Sequence, residues 1–372
     1  MRSKVNSLLT SLTDFQFHLL LILTPLIFIP HNYEIFEFNK IILVYILTAT
    51  ILTSSISKMI LLNRIQIPRT PFDIPIILIL ISRTISTVMS IDRHTSLWGY
   101  YSRFNEGLIA TFAYIILFYC FVEHFSKKTR LHNLVFSLFS GALLVAIWGL
   151  PGYFGFDLSC LIINGQLTYT CWQADSNPMN RIYSTLGQPN WFGAYLSITL
   201  PLGVAYILLK RPSKVWAWVL VMAGMYLSFT LSFSRGASLG LLASVIIFLS
   251  LILLSRYKKS LELNLRQASK PLLVLLGLCL AINLFFGSAF TKRPVTLKKL
   301  SSTQLESGGT ESGQIRLIVW KGAIEIFKKY PIFGSGLETF AYAYTASRPI
   351  EHNLTSEWEF IYNKAHNEYL NS

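Results

Sequence analysis

Four arginines and one histidine in this sequence could carry chemistry. Arg103 lies in YYSRFNEG, Arg181 in NRIYSTLGQPN, Arg235 in FSRGAS, Arg316 in QIRLIVW and His366 in NKAHNEYLNS. A guanidinium presents a planar fork of donors that matches two oxygens of a phosphate, so several together suggest an anion site. A neutral imidazole near pH 7 can take a proton from an attacking hydroxyl. Each also has an ordinary reading. Arg103, Arg181 and Arg235 can anchor at lipid headgroups, Arg316 can be a solvated position on an amphipathic helix, and His366 can be a surface or capping residue. Arg235 is the sharpest case, because arginine between apolar spans is costly unless it meets water, a lipid phosphate or an anionic partner. Asn190 follows Gln188-Pro189 at the mouth of an apolar segment, where capping and binding are both open. Glu368 can orient His366 or simply be solvated.

Other chemistries are set aside. The chain has no GxSxG, HExxH, P-loop or aspartate-rich metal motif, and no acidic pair at convincing spacing. The expectation is no cofactor and no metal. Cys120 and Cys279 sit in apolar segments as packing residues, and none of the four cysteines has zinc-site spacing. Cys160 and Cys171 bracket a possible hairpin around Asn164-Gly165, which suggests a disulfide in an oxidising compartment; two free thiols are the alternative in a reducing one. Of the remaining histidines, His18 lies in or near an apolar run, His124 and His132 flank a basic turn, and His31, His94 and His352 lack a recurring polar setting.

The elements that must position these residues are membrane helices. The chain is 52% hydrophobic and only 13% charged, with a mean hydropathy of +0.49, where a soluble domain is nearer a quarter charged. Nine spans can be read, at roughly 15–30, 40–62, 73–90, 106–124, 132–152, 190–209, 215–233, 237–255 and 270–289. Half of the 32 basic residues fall in five alternate connections: Arg2/Lys4, Lys58/Arg64/Arg69, Lys127/Lys128/Arg130, Lys210/Arg211/Lys214 and Arg256/Lys258/Lys259/Arg266/Lys270. The positive-inside rule puts these, and the N-terminus, in the cytoplasm. The +14 net charge therefore calls for no nucleic-acid partner. The first apolar run has no convincing signal-peptide cleavage site.

Residues 215–255 are apolar throughout and would run about 60 Å as one helix, twice the hydrocarbon core. The chain must turn at SFSRGAS, where Gly236 can take positive φ and Arg235 lands at the outer surface. The expected organisation is a bundle over 1–289, with external loops at 91–105 and 153–189, and one external cap over 290–372. The cap begins with a Ser/Thr/Gly-rich linker. A helix over about 314–330 follows, capped by Ser312 or Gly313, ended by Pro331 and closed by PIFGSG. Its Ile315, Val319, Gly322, Ile326 and Tyr330 share a stripe beside Arg316, Trp320, Ala323 and Phe327. Such a helix can lie on the membrane or pack on the bundle.

YSTLGQPNWFGAYLSITLPLG, LSFSRGASLGLLAS, RLIVWKGAIEIFKKYPIFGSGLETF and AHNEYL resemble, in that order, the O-antigen ligase family, with its O-antigen polymerases and O-linked oligosaccharyltransferases. The similarity covers roughly 70–372. It implies an all-α GT-C-type glycosyltransferase, metal-independent and inverting, that moves a glycan from a polyprenyl diphosphate to an acceptor hydroxyl outside the cytoplasmic membrane. The family's arginines match Arg235 and Arg316, and its histidine-asparagine motif matches His366 and Asn367. Arg103, Arg181 and Asn190 lie in family-like stretches as candidate substrate contacts. The implied partners are membrane lipids, the lipid-linked donor and a glycan, glycolipid or protein acceptor. Family members continue past the histidine motif with about two or more further spans, so the chain reads as C-terminally incomplete. Two other classes compete: a small-solute or inorganic-carbon transporter, for which Arg83 inside the third span is the main suggestion, and a non-catalytic envelope assembly protein.

Overall fold

The structure, a computed structural model, describes residues 2–65, 67–125, 128–172, 176–210, 214–257, 265–291 and 312–371. Lys127, Arg211, Lys258, Lys259 and the linker over 292–311 lie outside the described residues. So do the side chains of Lys128, Arg130, His132, Lys210, Arg256, Arg266, Ser312 and Glu368.

The first seven helices are α1 (Arg2–Leu26), α2 (Glu37–Leu61), α3 (Asp73–Val88), α4 (Arg93–Trp98), α5 (Leu108–His124), α6 (Lys128–Tyr153) and α7 (Leu158–Asn164). Then come α8 (Pro189–Lys210), α9 (Val215–Leu231), α10 (Arg235–Tyr257), α11 (Leu265–Phe286), α12 (Ser312–Lys329), α13 (Phe340–Ser347) and α14 (Glu368–Asn371). Among the described residues there is no strand, only a single bridge between Ser288 and Thr291. Six helices, α1, α2, α6, α8, α10 and α11, are long and apolar enough to cross a membrane; α5 and α9 are shorter apolar helices. The described residues thus form an all-helical fold with several helices of membrane-crossing length and apolarity, consistent with a multi-pass membrane protein. Leucine and isoleucine lie open along α10, including Leu239, Leu242, Ile246 and Leu253, as expected of a lipid-facing surface.

The chain forms two compact units: residues 1–16, 37–127 and 299–372 make the first, and 17–36 and 128–298 the second. In the first, α2 packs along α5, and both bury small or branched side chains such as Val44, Ile51, Ala110 and Ala113. Lys58 departs from its place among the surface topology cations. It is buried, with its ammonium 3.2 Å from His124 Nδ1, and His124 Nε2 lies 2.7 Å from Asp14 Oδ1. A buried ammonium needs such partners.

The connection 99–107 is pinched shut. A Cβ on Gly107 would meet the Gly99 backbone nitrogen at 2.5 Å, so only glycine lets the two ends of this loop touch. Between them Ser102, Phe104 and Glu106 all adopt positive φ. The PIFGSG turn does more than close α12. Ile91 N donates to Ser335 O at 3.0 Å, Ser96 Oγ to Leu337 O at 2.9 Å and Ser86 Oγ to Phe333 O at 2.7 Å, docking the turn on the α3–α4 connection. Gly336 sits at φ +117°, where a Cβ would lie 2.0 Å from Ser90 Oγ. Gly336→Val is therefore expected to cost roughly 2–5 kcal/mol, from overpacking and backbone strain together. Thermal unfolding in nanodiscs checks it, and an unchanged midpoint would contradict this docking.

The α12 stripe packs on protein. Ile315, Val319, Ala323 and Ile326 form one core with Phe340, Ala343, Tyr344 and Ala365. Gly322 lets the helix approach Tyr344, whose ring would be 2.4 Å from an added Cβ. Phe327, on the neighbouring stripe, stays open at 64% exposure.

The core of the second unit lies among α6, α8 and α9, with Phe139, Val145, Phe192, Leu196, Met222 and Met225 buried. A helix break falls within 215–255 as expected, but its residues differ from the expectation. α9 ends at Leu231 and α10 starts at Arg235, and the positive φ falls on Phe233, at 47°. Gly236 lies within the first turn of α10, because Ser234 Oγ accepts from Ala237 N at 3.3 Å and starts the helix before it. In the 153–189 loop the hairpin is replaced by α7. Asp157 caps it by accepting from Ser159 N at 2.8 Å, and Gly165 ends it in the left-handed conformation at φ +75°. Cys160 and Cys171 are joined as a disulfide, their Cα atoms 5.5 Å apart. Trp172 Nε1 donates to Asp157 Oδ2 at 2.6 Å, and its ring stacks on Phe36.

Candidate functional site

In the first unit His366 is carried on a strap, 362–367, held from three sides. The preceding Ala365 is fully buried; its carbonyl accepts from Trp320 Nε1 at 2.9 Å and its amide donates to Asn371 Oδ1 at 3.1 Å. Lys364 is anchored by carboxylates, with Nζ 2.6 Å from Glu106 Oε2 and 3.7 Å from Glu338 Oε1. Tyr362 sets its ring edge-on to His366, with centroids 5.8 Å apart, and to the buried His352 at 5.1 Å. Pinned this way, His366 is held at φ +54° with its side chain exposed. A non-glycine residue in that region persists only where its surroundings over-determine it. The protein packed around the ring disfavours the imidazolium, and the Arg316 guanidinium adds to this, so its pKa falls below the ordinary 6.5. The imidazole is thus neutral and open to solvent near pH 7, the state a general base requires.

Behind the strap lies a charged cluster. Glu106 and Glu338 both sit at positive φ, 61° and 57°, and share the Lys364 ammonium. Burial pushes the Glu338 carboxyl up to about 7, with Lys364 opposing and Glu106 adding to the rise. Burial works on Glu106 too, but the shorter Lys364 contact outweighs it and holds that carboxyl below its usual range. The two carboxylates likewise outweigh burial at Lys364 and keep it charged. Arg103 pairs with Glu37, Nη1 to Oε1 at 3.3 Å. Arg83 donates to Thr111 Oγ1 at 2.8 Å, a bond between helices α3 and α5. That is the packing reading of this arginine.

The second unit presents Arg235 differently. Arg181 Nη2 donates to Asn190 Oδ1 at 3.0 Å, Arg181 Nε donates to Ser232 O at 2.9 Å, and Ser234 Oγ donates to Asn190 Oδ1 at 2.9 Å. Asn190, in the first turn of α8, thereby ties the loop at Arg181 to the turn before α10. Arg235 follows as the first residue of that helix, and it is exposed. A guanidinium at a helix N-terminus adds its charge to the positive end of the macrodipole, a favourable place for an oxyanion.

The family model described as O-Antigen ligase matches residues 219–372. That stretch is under half of the chain, and over it the chain is similar to O-antigen ligases. No curated protein and no solved structure matches the chain. The O-antigen ligase match contains Arg235, Arg316, His366 and Asn367, while Arg103, Arg181 and Asn190 precede it. The match supports, at family level, a membrane function in glycan transfer.

The sequence-predicted residues divide between the units: Arg103, Arg316, His366 and Asn367 in the first, Arg181, Asn190 and Arg235 in the second. Four carry structural bonds as well, Arg103 to Glu37 and Asn190 to Arg181 and Ser234 among them. Arg181 braces the turn, and Asn367 Oδ1 accepts from Tyr369 N at 3.0 Å, capping α14. Sequence reading missed Glu106, Glu338, Lys364 and Trp320, since none stands in a chemical motif. It also passed over His352, which is fully buried and hydrogen bonded through Nδ1 to Tyr344 Oη at 2.6 Å.

Proposed function

We propose that the protein is a GT-C-type glycosyltransferase that moves a glycan from a polyprenyl diphosphate to an acceptor hydroxyl on the outer side of the cytoplasmic membrane. One observation carries the mechanism: a solvent-open imidazole, held neutral beside Arg316, on a strap pinned through Trp320, Lys364 and Asn371. In this reading His366 takes the proton from the acceptor hydroxyl as its oxygen attacks the anomeric carbon. The bond from that carbon to the diphosphate oxygen breaks, and the configuration inverts. Neutralising the charge that develops on the leaving diphosphate is the role that the resemblance gives to Arg235 and to Arg316, work to which preorganised cations are suited. Arg103, Arg181, Asn190 and Asn367 hold substrate or the elements that meet it. The chemistry is metal-independent.

The orientation we propose follows the lysine and arginine bias, with the N-terminus cytoplasmic and residues 290–372 outside. It uses nine spans. The three shortest helices among those nine are α3 with 16 residues and α5 and α9 with 17 each. At about 1.5 Å per residue these reach about 24–26 Å, a mismatch that local bilayer thinning absorbs at small cost. The reading is tested with purified protein in lipid, a labelled glycan on polyprenyl diphosphate and a panel of glycan, glycolipid and peptide acceptors. Labelled acceptor and free polyprenyl diphosphate should appear together, at an unchanged rate in excess chelator. No transfer to any acceptor would sink the reading.

A further inference from the structure

The first unit holds a cavity of about 670 Å³ between α3, α12 and the turn that follows α12, well within the size range of small-molecule sites. Its walls differ in character. Ile79, Phe327 and Ile332 make an apolar flank, whereas Arg83, Glu106 and Glu338 line the polar part. The charge there decides the ligand class. Two carboxyl groups face the cavity, hydrogen bonded to each other, and the one guanidinium among its lining residues already donates to Thr111 Oγ1 at 2.8 Å. The cluster's other cation, Lys364, is spent on the two carboxylates at 2.6 and 3.7 Å. A phosphate or diphosphate would find both of these cations already engaged. A neutral head with several hydroxyls is complementary, because each carboxyl oxygen can accept an O–H. A peptide serine or threonine brings one hydroxyl at a time; a sugar ring brings adjacent ones, enough for both glutamates.

We infer that this cavity is a subsite for a sugar residue with a neighbouring apolar group, whose hydroxyls are gripped by Glu106 and Glu338 while the apolar part lies on Phe327 and Ile332. Under the proposed function, on which this assignment of a role rests, the occupant is the acceptor, and the acceptor is a carbohydrate bearing an apolar portion. Lys364 joins the subsite to the reaction, since the side chain that clamps both glutamates stands two residues before His366. Both glutamates are held in left-handed backbone conformations, the kind of strain that collects at ligand clamps.

The test uses the full chain in nanodiscs with Ile332→Cys, at a position 81% exposed on the cavity wall, and a membrane-impermeant maleimide. Octyl glucoside, octyl galactoside, octyl phosphate and octyl triethylene glycol, all below micellar concentration, compete with alkylation. At least one glycoside should protect Cys at that position at about tenfold lower concentration than the phosphate or the glycol ether. Glu106→Gln and Glu338→Gln should each erase about tenfold of that preference, the worth of one charge-assisted hydrogen bond. Equal protection by all four amphiphiles would make the cavity merely apolar. Preference for the phosphate would make it an anion site, and no protection would make it no site at all; each overturns the inference. Glycan transfer is measured separately. Selective glycoside protection without any transfer leaves the subsite standing and removes the proposed function. Transfer with an unchanged acceptor KM in the Glu106→Gln/Glu338→Gln protein removes the subsite and leaves the function.

Discussion

Replacing His366 with alanine should lower kcat for glycan transfer by about 10²–10⁴, the range that a positioned general base contributes, while the protein keeps its unfolding midpoint. The second half of that expectation follows from position. The ring is exposed, and the strap's anchors are the Ala365 backbone and the Lys364 side chain, both intact in the variant. The pH dependence gives an independent check. A base works only when unprotonated, so activity should fall as pH drops through the imidazole pKa. That value lies below 6.5, lowered first by the packed surroundings and then by Arg316. The acidic limb of kcat/KM should therefore sit below the usual histidine range. Arg316→Gln removes a charge that disfavours the imidazolium and should move the limb upward, even as it lowers the rate. Stopped transfer assays on the variants across pH 4.5–8 decide between outcomes. A His366→Ala enzyme within threefold of wild type, or an acidic limb that ignores Arg316, would take the base role away from His366.

Much of this architecture is legible in the residues. Long apolar runs fix helices because unpaired backbone groups cannot be left in lipid, and the turn between α9 and α10 follows from arithmetic on helix length. The α12 stripe and its Pro331 stop are equally local. What escaped reading is what depends on which surfaces meet. Gly236 looked like the turn residue, yet Ser234 caps α10 and passes the strained φ to Phe233. Lys58 looked like a surface cation until His124 and Asp14 were found beside it. The Glu106–Lys364–Glu338 cluster joins residues more than two hundred positions apart, each a common type in an ordinary context. Only the pinched 99–107 loop and the docked PIFGSG turn bring them together. A hint existed in the glycines. Gly99, Gly107 and Gly336 bracket both acidic residues, and each marks a close backbone approach.

Arg235→Ala should reduce kcat/KM for the lipid-linked donor by about 10²–10³, the cost of removing one preorganised donor from a developing oxyanion. The helix that begins with Arg235 contributes as well. It runs 23 residues to Tyr257, and its N-terminal dipole remains in the variant, so the loss stops short of the full electrostatic effect. Arg235→Lys keeps the charge but loses the planar fork, and should recover part of the rate without restoring it. The sharper contrast is with Arg181. Its guanidinium is bonded to Ser232 O and Asn190 Oδ1, so Arg181→Ala should act through the turn that presents Arg235. Arg181→Ala and Asn190→Ala should then each be strongly non-additive with Arg235→Ala, because once the guanidinium is gone its placement no longer matters. Steady-state kinetics on the singles and doubles read this directly. Purely additive losses would mean that Arg181 meets the substrate on its own account, and a negligible effect of Arg235→Ala would move the diphosphate away from the start of α10.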